Sequence, residues 1–199
     1  YTISLATQGL CNYLNKVIDG NKSAVIAYDS RRFSKEFGNQ TAKIFSANNI
    51  KSYIFSDLRP TPELSFAVRE LNCSCGIVIT ASHNPKEYNG YKVYWNDGGQ
   101  ITSPHDNNII SEVEKITDFN QINFNFKSEL IEEIDNKIDK KYIEKIQDLS
   151  VYDNSRSKLK IIFSSLHGTG ITQIPNALNA FGFKNISSVR SQELPDPEF

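Results

Sequence analysis

The apolar positions of this chain change period in a way that predicts alternating helices and strands. Over residues 2 to 18, Ile3, Leu5, Leu10, Tyr13, Leu14, Val17 and Ile18 form a broad apolar face at approximately helical spacing, which predicts a first helix closed by Gly20-Asn21. Ala24 to Tyr28 follows as a short all-apolar run, the pattern of a strand covered on both faces. A helix is predicted from about Lys35 to Asn48 with Ser34 as its N-cap, then a strand over Lys51 to Phe55. The next helix starts at Arg59-Pro60-Thr61-Pro62, with Thr61 as cap, Pro62 in its first turn, and Leu64, Ala67, Val68 and Leu71 facing the sheet.

A third strand runs from Gly76 to Thr80, and Tyr91 to Trp95 returns from it through Asn89-Gly90 as a strand of opposite sense at the sheet edge. Ile109, Ile110, Val113 and Ile116 mark a further helix, Asp118 to Lys127 a polar, asparagine-rich loop, and Leu130 to Leu149 one long amphipathic helix. Val151 to Ser157 reads as a linker. Beyond it, Leu159 to Ser164 is a strand, His167 to Gly170 a glycine-rich turn, Ile174 to Phe181 a helix and Asn185 to Val189 another strand. The fold class is therefore α/β: a mixed, mostly parallel sheet sandwiched by helices over residues 1–150, then the start of a second α/β domain over 158–199.

Composition narrows the functional classes. The 199 residues carry a formal net charge of −1 with 39% hydrophobic content, a globular balance, and the scattered lysine pairs such as Lys140-Lys141 form no basic stripe for nucleic acid or acidic lipid. No apolar run approaches the roughly 18 residues of a membrane span. Cys11, Cys73 and Cys75 are odd in number, and Cys-x-Cys without a second ligand pair is poor support for zinc; reduced thiols in the cytoplasm are the simpler account. The chain contains no methionine, which suggests a fragment lacking its natural start.

Chemistry concentrates in one loop. Thr80-Ala81-Ser82-His83-Asn84-Pro85 lies just past the carboxyl end of a buried strand, where open α/β sheets place their ligands, and Tyr88-Asn89-Gly90-Tyr91-Lys92 brings the chain back. Read by themselves, these residues fit an ordinary turn as well as a catalytic loop, with Asn84 bonding backbone and Pro85 fixing φ. Asp29 and Arg31, two apart after the first strand, either brace their loop as a pair or contact substrate, while Arg32 is read as solvated. His105 is a loop or helix-start residue, and His167 has no assigned role. Gly168-Thr169-Gly170 lacks the spacing of a nucleotide loop and is best taken as a tight turn.

The ordered run Thr-Ala-Ser-His-Asn-Pro followed by Tyr-Asn-Gly-Tyr-Lys resembles the active-site loop of the α-D-phosphohexomutases, the family of phosphoglucomutases and phosphomannomutases. The Asp29-x-Arg31 pair, the Leu166-His167-Gly168-Thr169-Gly170 turn and the Pro195-Asp196-Pro197-Glu198-Phe199 segment resemble the same family. The resemblance implies an isomerase that interconverts hexose 1-phosphate and hexose 6-phosphate, glucose favoured, through a phosphoserine and a bisphosphorylated sugar intermediate. It places the phosphoryl-carrying serine at Ser82, electrostatic or acid-base assistance at Lys92, loop organisation beside the serine at His83, and substrate-binding or loop-supporting roles at Arg31 and Asn84. It further implies a sugar phosphate substrate, a hexose bisphosphate activator, and Mg²⁺ bound through the phosphate of Ser82, with the remaining ligands in an Asp-Gly-Asp-x-Asp loop beyond this chain. The fragment alone is then expected to be inactive. The alternative is a non-catalytic phosphate-binding or interaction module on the same fold; retention of both Ser82 and Lys92 favours the enzyme.

Overall fold

A computed structural model describes residues 1–151 and 158–198. In chain order the elements are α1 Thr2–Val17, β1 Ser23–Tyr28, α2 Ser34–Ala47, β2 Lys51–Phe55, α3 Thr61–Glu70, β3 Cys75–Ile79, β4 Tyr91–Trp95, α4 His105–Glu114, β5 Ile131–Ile134, α5 Asn136–Gln147, β6 Lys160–Phe163, α6 Gly170–Ala180 and β7 Asn185–Ser188. Apart from Val151, the linker expected over 151–157 lies outside the described residues.

Five strands form one sheet in the order β4-β3-β1-β2-β5. β3, β1, β2 and β5 run parallel, and β4 pairs antiparallel to β3 at the edge, with Val78 opposite Lys92 and Ile79 opposite Tyr91. The mixed, mostly parallel α/β fold follows from the all-apolar central strands, which alternate between two buried faces. On one side Ile26, Ile77 and Ile79 pack with Leu10, Leu14, Phe45 and Ile109 from α1, α2 and α4. On the other, Val25, Ala27 and Val78 pack with Leu64, Ala67, Val68 and Ile138 from α3 and α5. Each such buried Val, Leu, Ile or Phe contributes about 1.5–3 kcal/mol of transfer free energy, and the alanines less. Within that first layer α1 and α4 cross closely at Gly9, where a Cβ would fall 2.3 Å from Val113 Cγ2. β6 and β7 form a separate two-stranded parallel sheet with α6 packed on it.

Several expectations are corrected. The single helix predicted over Leu130 to Leu149 is instead a strand and a helix: Ile131 and Ile134 pair with Ser52 and Phe55, extending the sheet along the free edge of β2. Spacing by three suits a helix, but an available parallel edge outweighs it over four residues. Asp135 marks the break, with φ −154° and ψ −113°, and its carboxylate accepts bonds from the Ser56 amide at 3.2 Å and the Ser56 hydroxyl. Ser34 does not cap α2; the N-cap is Phe33 in the left-handed region, because the Ser34 hydroxyl is committed to Asp29. Pro60, not Thr61, occupies the cap position of α3. α6 begins at Gly170, a turn earlier than expected, so that Pro175 lies within it. The asparagine-rich loop is tied down by its amides: Asn123 N donates to Gln8 Oε1 at 3.0 Å and Asn123 Nδ2 to the Ala47 carbonyl at 2.7 Å.

At the carboxyl end of β2 and β5, Arg59 fastens α3 to α5. Its Nε and Nη2 donate to the two oxygens of Asp139 at 2.9 and 3.0 Å, and Nη2 lies 3.3 Å from Asp135. Glu63, one turn along α3, is fully buried with its carboxyl 3.9 Å from Arg59 Nε. Burial, and then the neighbouring Asp139 carboxylate, push its pKa up to about 9 from a usual value near 4.5. Glu63 is thus a protonated acid in the native state at neutral pH, whereas in the unfolded chain it ionises above about 4.5. Its contribution to stability is present below that value, declines as pH rises, and is lost by about pH 9. Urea unfolding of Glu63→Gln should therefore give a midpoint above that of the wild type at pH 8, with the difference shrinking toward pH 5. A difference independent of pH would show that Glu63 is ionised in the fold.

Candidate active site

β1 and β3 are parallel neighbours, so the loops leaving their carboxyl ends lie side by side, joined by a bond from Asp29 N to the Ile79 carbonyl at 3.1 Å. Asp29 organises both loops. Its Oδ1 accepts from the Arg31 amide at 3.0 Å and the Ser34 hydroxyl at 2.8 Å, and its Oδ2 from the Thr80 hydroxyl at 2.6 Å. The Thr80 hydroxyl in turn accepts from the Ser82 amide at 3.0 Å.

Arg31 extends from the first loop into the second. With its side chain 1% exposed, it pairs through Nε with Asp29 Oδ2 at 3.2 Å. Its Nη1 donates to the carbonyls of Pro85 (2.8 Å) and Tyr88 (3.0 Å), and its Nη2 to those of Ser82 (2.9 Å) and Asn84 (2.7 Å). Of the two arrangements expected for Arg31, the geometry is the bracing one, with both Nη groups directed at loop carbonyls and Nε at Asp29. Asn89 closes the loop from the far side through bonds to the Arg32 carbonyl at 3.2 Å and the Ser34 hydroxyl at 2.9 Å. Gly90 is required by a close approach, since a Cβ there would lie 2.6 Å from the Thr80 carbonyl oxygen.

Ser82 stands exposed at the top of this frame with φ +57°, a left-handed conformation costing a non-glycine residue about 1 kcal/mol or more. Its hydroxyl lies 3.0 Å from His83 Nδ1 of the next residue. Asn84 takes part through its backbone, its amide donating to the Ala81 carbonyl at 3.1 Å and its own carbonyl accepting from Arg31. Lys92 is half-buried on β4 level with Val78, on the sheet face that meets α3, and among the described residues no hydrogen bond or ion pair joins it to Ser82 or to any other group. Arg32, read as solvated, pairs with Glu198. Thr80, Ser34 and Asn89 were read as motif, cap and turn residues and not as supports of the site; polar residues of these types in loops carry no signal that separates the two roles. His105 begins α4 and stacks on Trp95 with centroids 4.1 Å apart, a structural placement.

Among the described residues no group of three or more His, Cys, Asp or Glu could hold a metal ion. No described helix is long and apolar enough to cross a membrane.

An α/β domain that presents one exposed serine on a braced loop beyond the carboxyl ends of its parallel strands belongs to the class of open-sheet proteins whose ligand sites lie at that edge. Residues 1–120 match the family described as phosphoglucomutase/phosphomannomutase, alpha/beta/alpha domain I. The chain belongs to the phosphoglucomutase/phosphomannomutase family, and as a whole it is similar to an amino-terminal part of such proteins. It is 40% identical over 203 residues to a phosphoglucomutase of Staphylococcus haemolyticus and 37% identical to one of Staphylococcus epidermidis, in each case covering 100% of this chain and 37% of the relative. The chain thus spans little more than a third of the length of these curated relatives. The fold is shared with a crystal structure from Thermus thermophilus (TM-score 0.83, 23% identity, 98% of this chain and 42% of that one). It is also shared with a phosphoglucomutase/phosphomannomutase family protein from Burkholderia thailandensis (TM-score 0.77, 20% identity, 99% and 41%).

Replacing Arg31 by lysine keeps the charge but removes the planar fork, and one ammonium cannot serve four carbonyls. Arg31→Lys should lower unfolding stability by roughly 2 kcal/mol and speed amide exchange across Ser82 to Tyr88. Unfolding and exchange unchanged from wild type would remove Arg31 from its place as the loop's brace.

Proposed function

We propose that the chain is the phosphoserine-bearing part of a phosphohexomutase, acting on hexose phosphates with glucose favoured. The observation that carries this reading is Ser82 itself: an exposed hydroxyl held at positive φ, 3.0 Å from an imidazole nitrogen, on a loop whose backbone is immobilised by a buried guanidinium. In the proposed cycle, a sugar hydroxyl attacks the phosphorus of phosphorylated Ser82. The bond from Ser82 Oγ to phosphorus breaks as the new sugar–phosphate bond forms; the attacking hydroxyl loses its proton and Ser82 Oγ gains one. The bisphosphorylated sugar then turns over and returns its other phosphoryl group by the reverse step, so that net chemistry is isomerisation. Such transfers depend on positioning and on stabilising charge spread over the phosphoryl oxygens.

His83 is assigned to orient the Ser82 hydroxyl and exchange a proton with it, and Lys92 to supply positive charge toward the transferring group, an assignment supported by its lack of a competing partner among the described residues. Arg31 and the Asn84 backbone support the loop. Mg²⁺, if bound through the phosphate of Ser82, would neutralise phosphoryl charge, and it needs ligands that the described residues do not supply. We also propose that residues 1–150 and 158–199 are separate folding units, and that the 199-residue chain alone sustains no turnover. A hexose bisphosphate would keep Ser82 phosphorylated, and the cytoplasm, where sugar phosphates are held, is the proposed location.

Incubation of the full-length protein with glucose 1,6-bisphosphate should add one phosphoryl group at Ser82, read by peptide mass spectrometry, and Ser82→Ala should lose both label and turnover of glucose phosphates. Turnover by Ser82→Ala equal to wild type would overturn the assignment. For Lys92, substitution by alanine in the full-length protein should lower kcat about 10²-fold while the melting curve stays in place. Unchanged kcat would return Lys92 to a structural position on β4.

A further inference from the structure

Three segments distant in sequence meet beside the Ser82 loop. Arg32 comes from the turn between β1 and α2, Lys86 from the loop itself, and Glu198 from the Pro195-Asp196-Pro197-Glu198 segment that follows β7. One carboxylate takes both cations: Glu198 Oε2 lies 2.9 Å from Lys86 Nζ, and Oε1 contacts Arg32 Nε. The Lys86 ammonium also reaches the Glu198 carbonyl at 3.5 Å. Lys86 and then Arg32 hold the Glu198 carboxyl below the usual carboxylate range, so it is ionised across the neutral pH region.

The segment is also tied at its other end. The Gln192 carbonyl accepts from the His167 amide at 3.1 Å and from the Ser165 hydroxyl at 2.6 Å, and the Leu194 carbonyl lies 2.9 Å from His167 Nδ1. His167 and Leu166 both hold positive φ in the turn after β6, a strained arrangement that the bonds to 192 and 194 help to fix. Between the two ties, Pro195 and Pro197 restrict φ and Asp196 Oδ1 accepts from the Glu198 amide at 2.8 Å, so little freedom is left to lose when Glu198 engages its cations. Each ion pair is exposed, and an isolated exposed pair contributes little. The arrangement differs from an isolated pair because a single carboxylate on a stiffened segment joins two loops of the larger sheet to the turn of the smaller one.

We propose that Glu198 is a positioning residue, the ionic end of a strap that fixes the Ser82 loop relative to the β6–β7 unit by holding Arg32 and Lys86 on one carboxylate. Its consequence for catalysis rests on the function proposed above; the strap itself does not. The same geometry gives His167 a role, as the anchor of the strap's other end.

Amide hydrogen exchange on the 199-residue chain, without sugar phosphate, tests the strap separately from the chemistry of Ser82. In Glu198→Gln the amides from Ser82 to Tyr88 should exchange about two- to fivefold faster at low salt, with those of β1 and β3 unchanged, and high salt should bring the wild type to the rate of the variant. The triple variant Arg32→Glu, Lys86→Glu and Glu198→Lys, which reverses all three charges, should recover most of the wild-type protection. Loop exchange in Glu198→Gln equal to wild type overturns the proposal, as does an acceleration that neither salt reproduces nor the exchanged charges reverse. Loss of the phosphoserine label would refute the enzyme reading and leave these exchange results standing.

Discussion

The guanidinium of Arg31 fills the inside of the loop between β3 and β4. A loop of that kind has several carbonyls pointing inward, and each must find a donor if the loop is to keep one shape. Arg31 satisfies four of them from a single planar group, and Asp29 keeps the charge of that group matched while gathering the hydroxyls of Ser34 and Thr80. The rest of the site follows from this. Ser82 can hold its positive φ because its carbonyl is bound by Arg31 and its amide by Thr80, so relaxing the one torsion would break bonds at both ends of the residue.

That arrangement depends on topology. Because β1 and β3 are adjacent and parallel, their polar ends emerge at the same edge, and a side chain from one can enter the loop of the other. The same edge carries a second ionic centre, where Arg59 with Asp135 and Asp139 fastens α5 to α3 beside the buried Glu63. The two centres divide the work: one shapes the loop that presents Ser82, the other secures the helix that leads away from the larger sheet. Apolar burial between the layers supplies the bulk of the stability, and these polar centres set the geometry at its rim.

Much of the fold was legible because each of its signals is local. The all-apolar runs at Val25 and Ile77 are short and bounded by turn residues, as strands buried on both faces are, the three- and four-residue spacing of Leu64, Ala67, Val68 and Leu71 belongs to a helix, and Asn89-Gly90 turns the chain back for an antiparallel edge strand. The serine loop was legible for another reason: its order of residues is long and specific enough to identify a family, and the structure places Ser82 and His83 side by side within it. Where a distant edge overrode the period, local pattern failed. Ile131 and Ile134, three apart, share a face only in a helix; as a strand they enter opposite layers, and that outcome was decided by the unpaired edge of β2.

By itself, then, the sequence determined the layered α/β class, the order of its elements apart from β5 and the loop on which a hydroxyl is presented, because apolar period and turn chemistry act between near neighbours in the chain. Tertiary structure alone decided what the charged residues do. Arg31 bonds carbonyls more than fifty positions away, Glu63 meets Asp139 across two helices, and Lys86 meets Glu198 from more than a hundred positions along the chain. A charged side chain binds whichever complementary group the folded backbone brings within about 3 Å, and no period in the sequence encodes that distance.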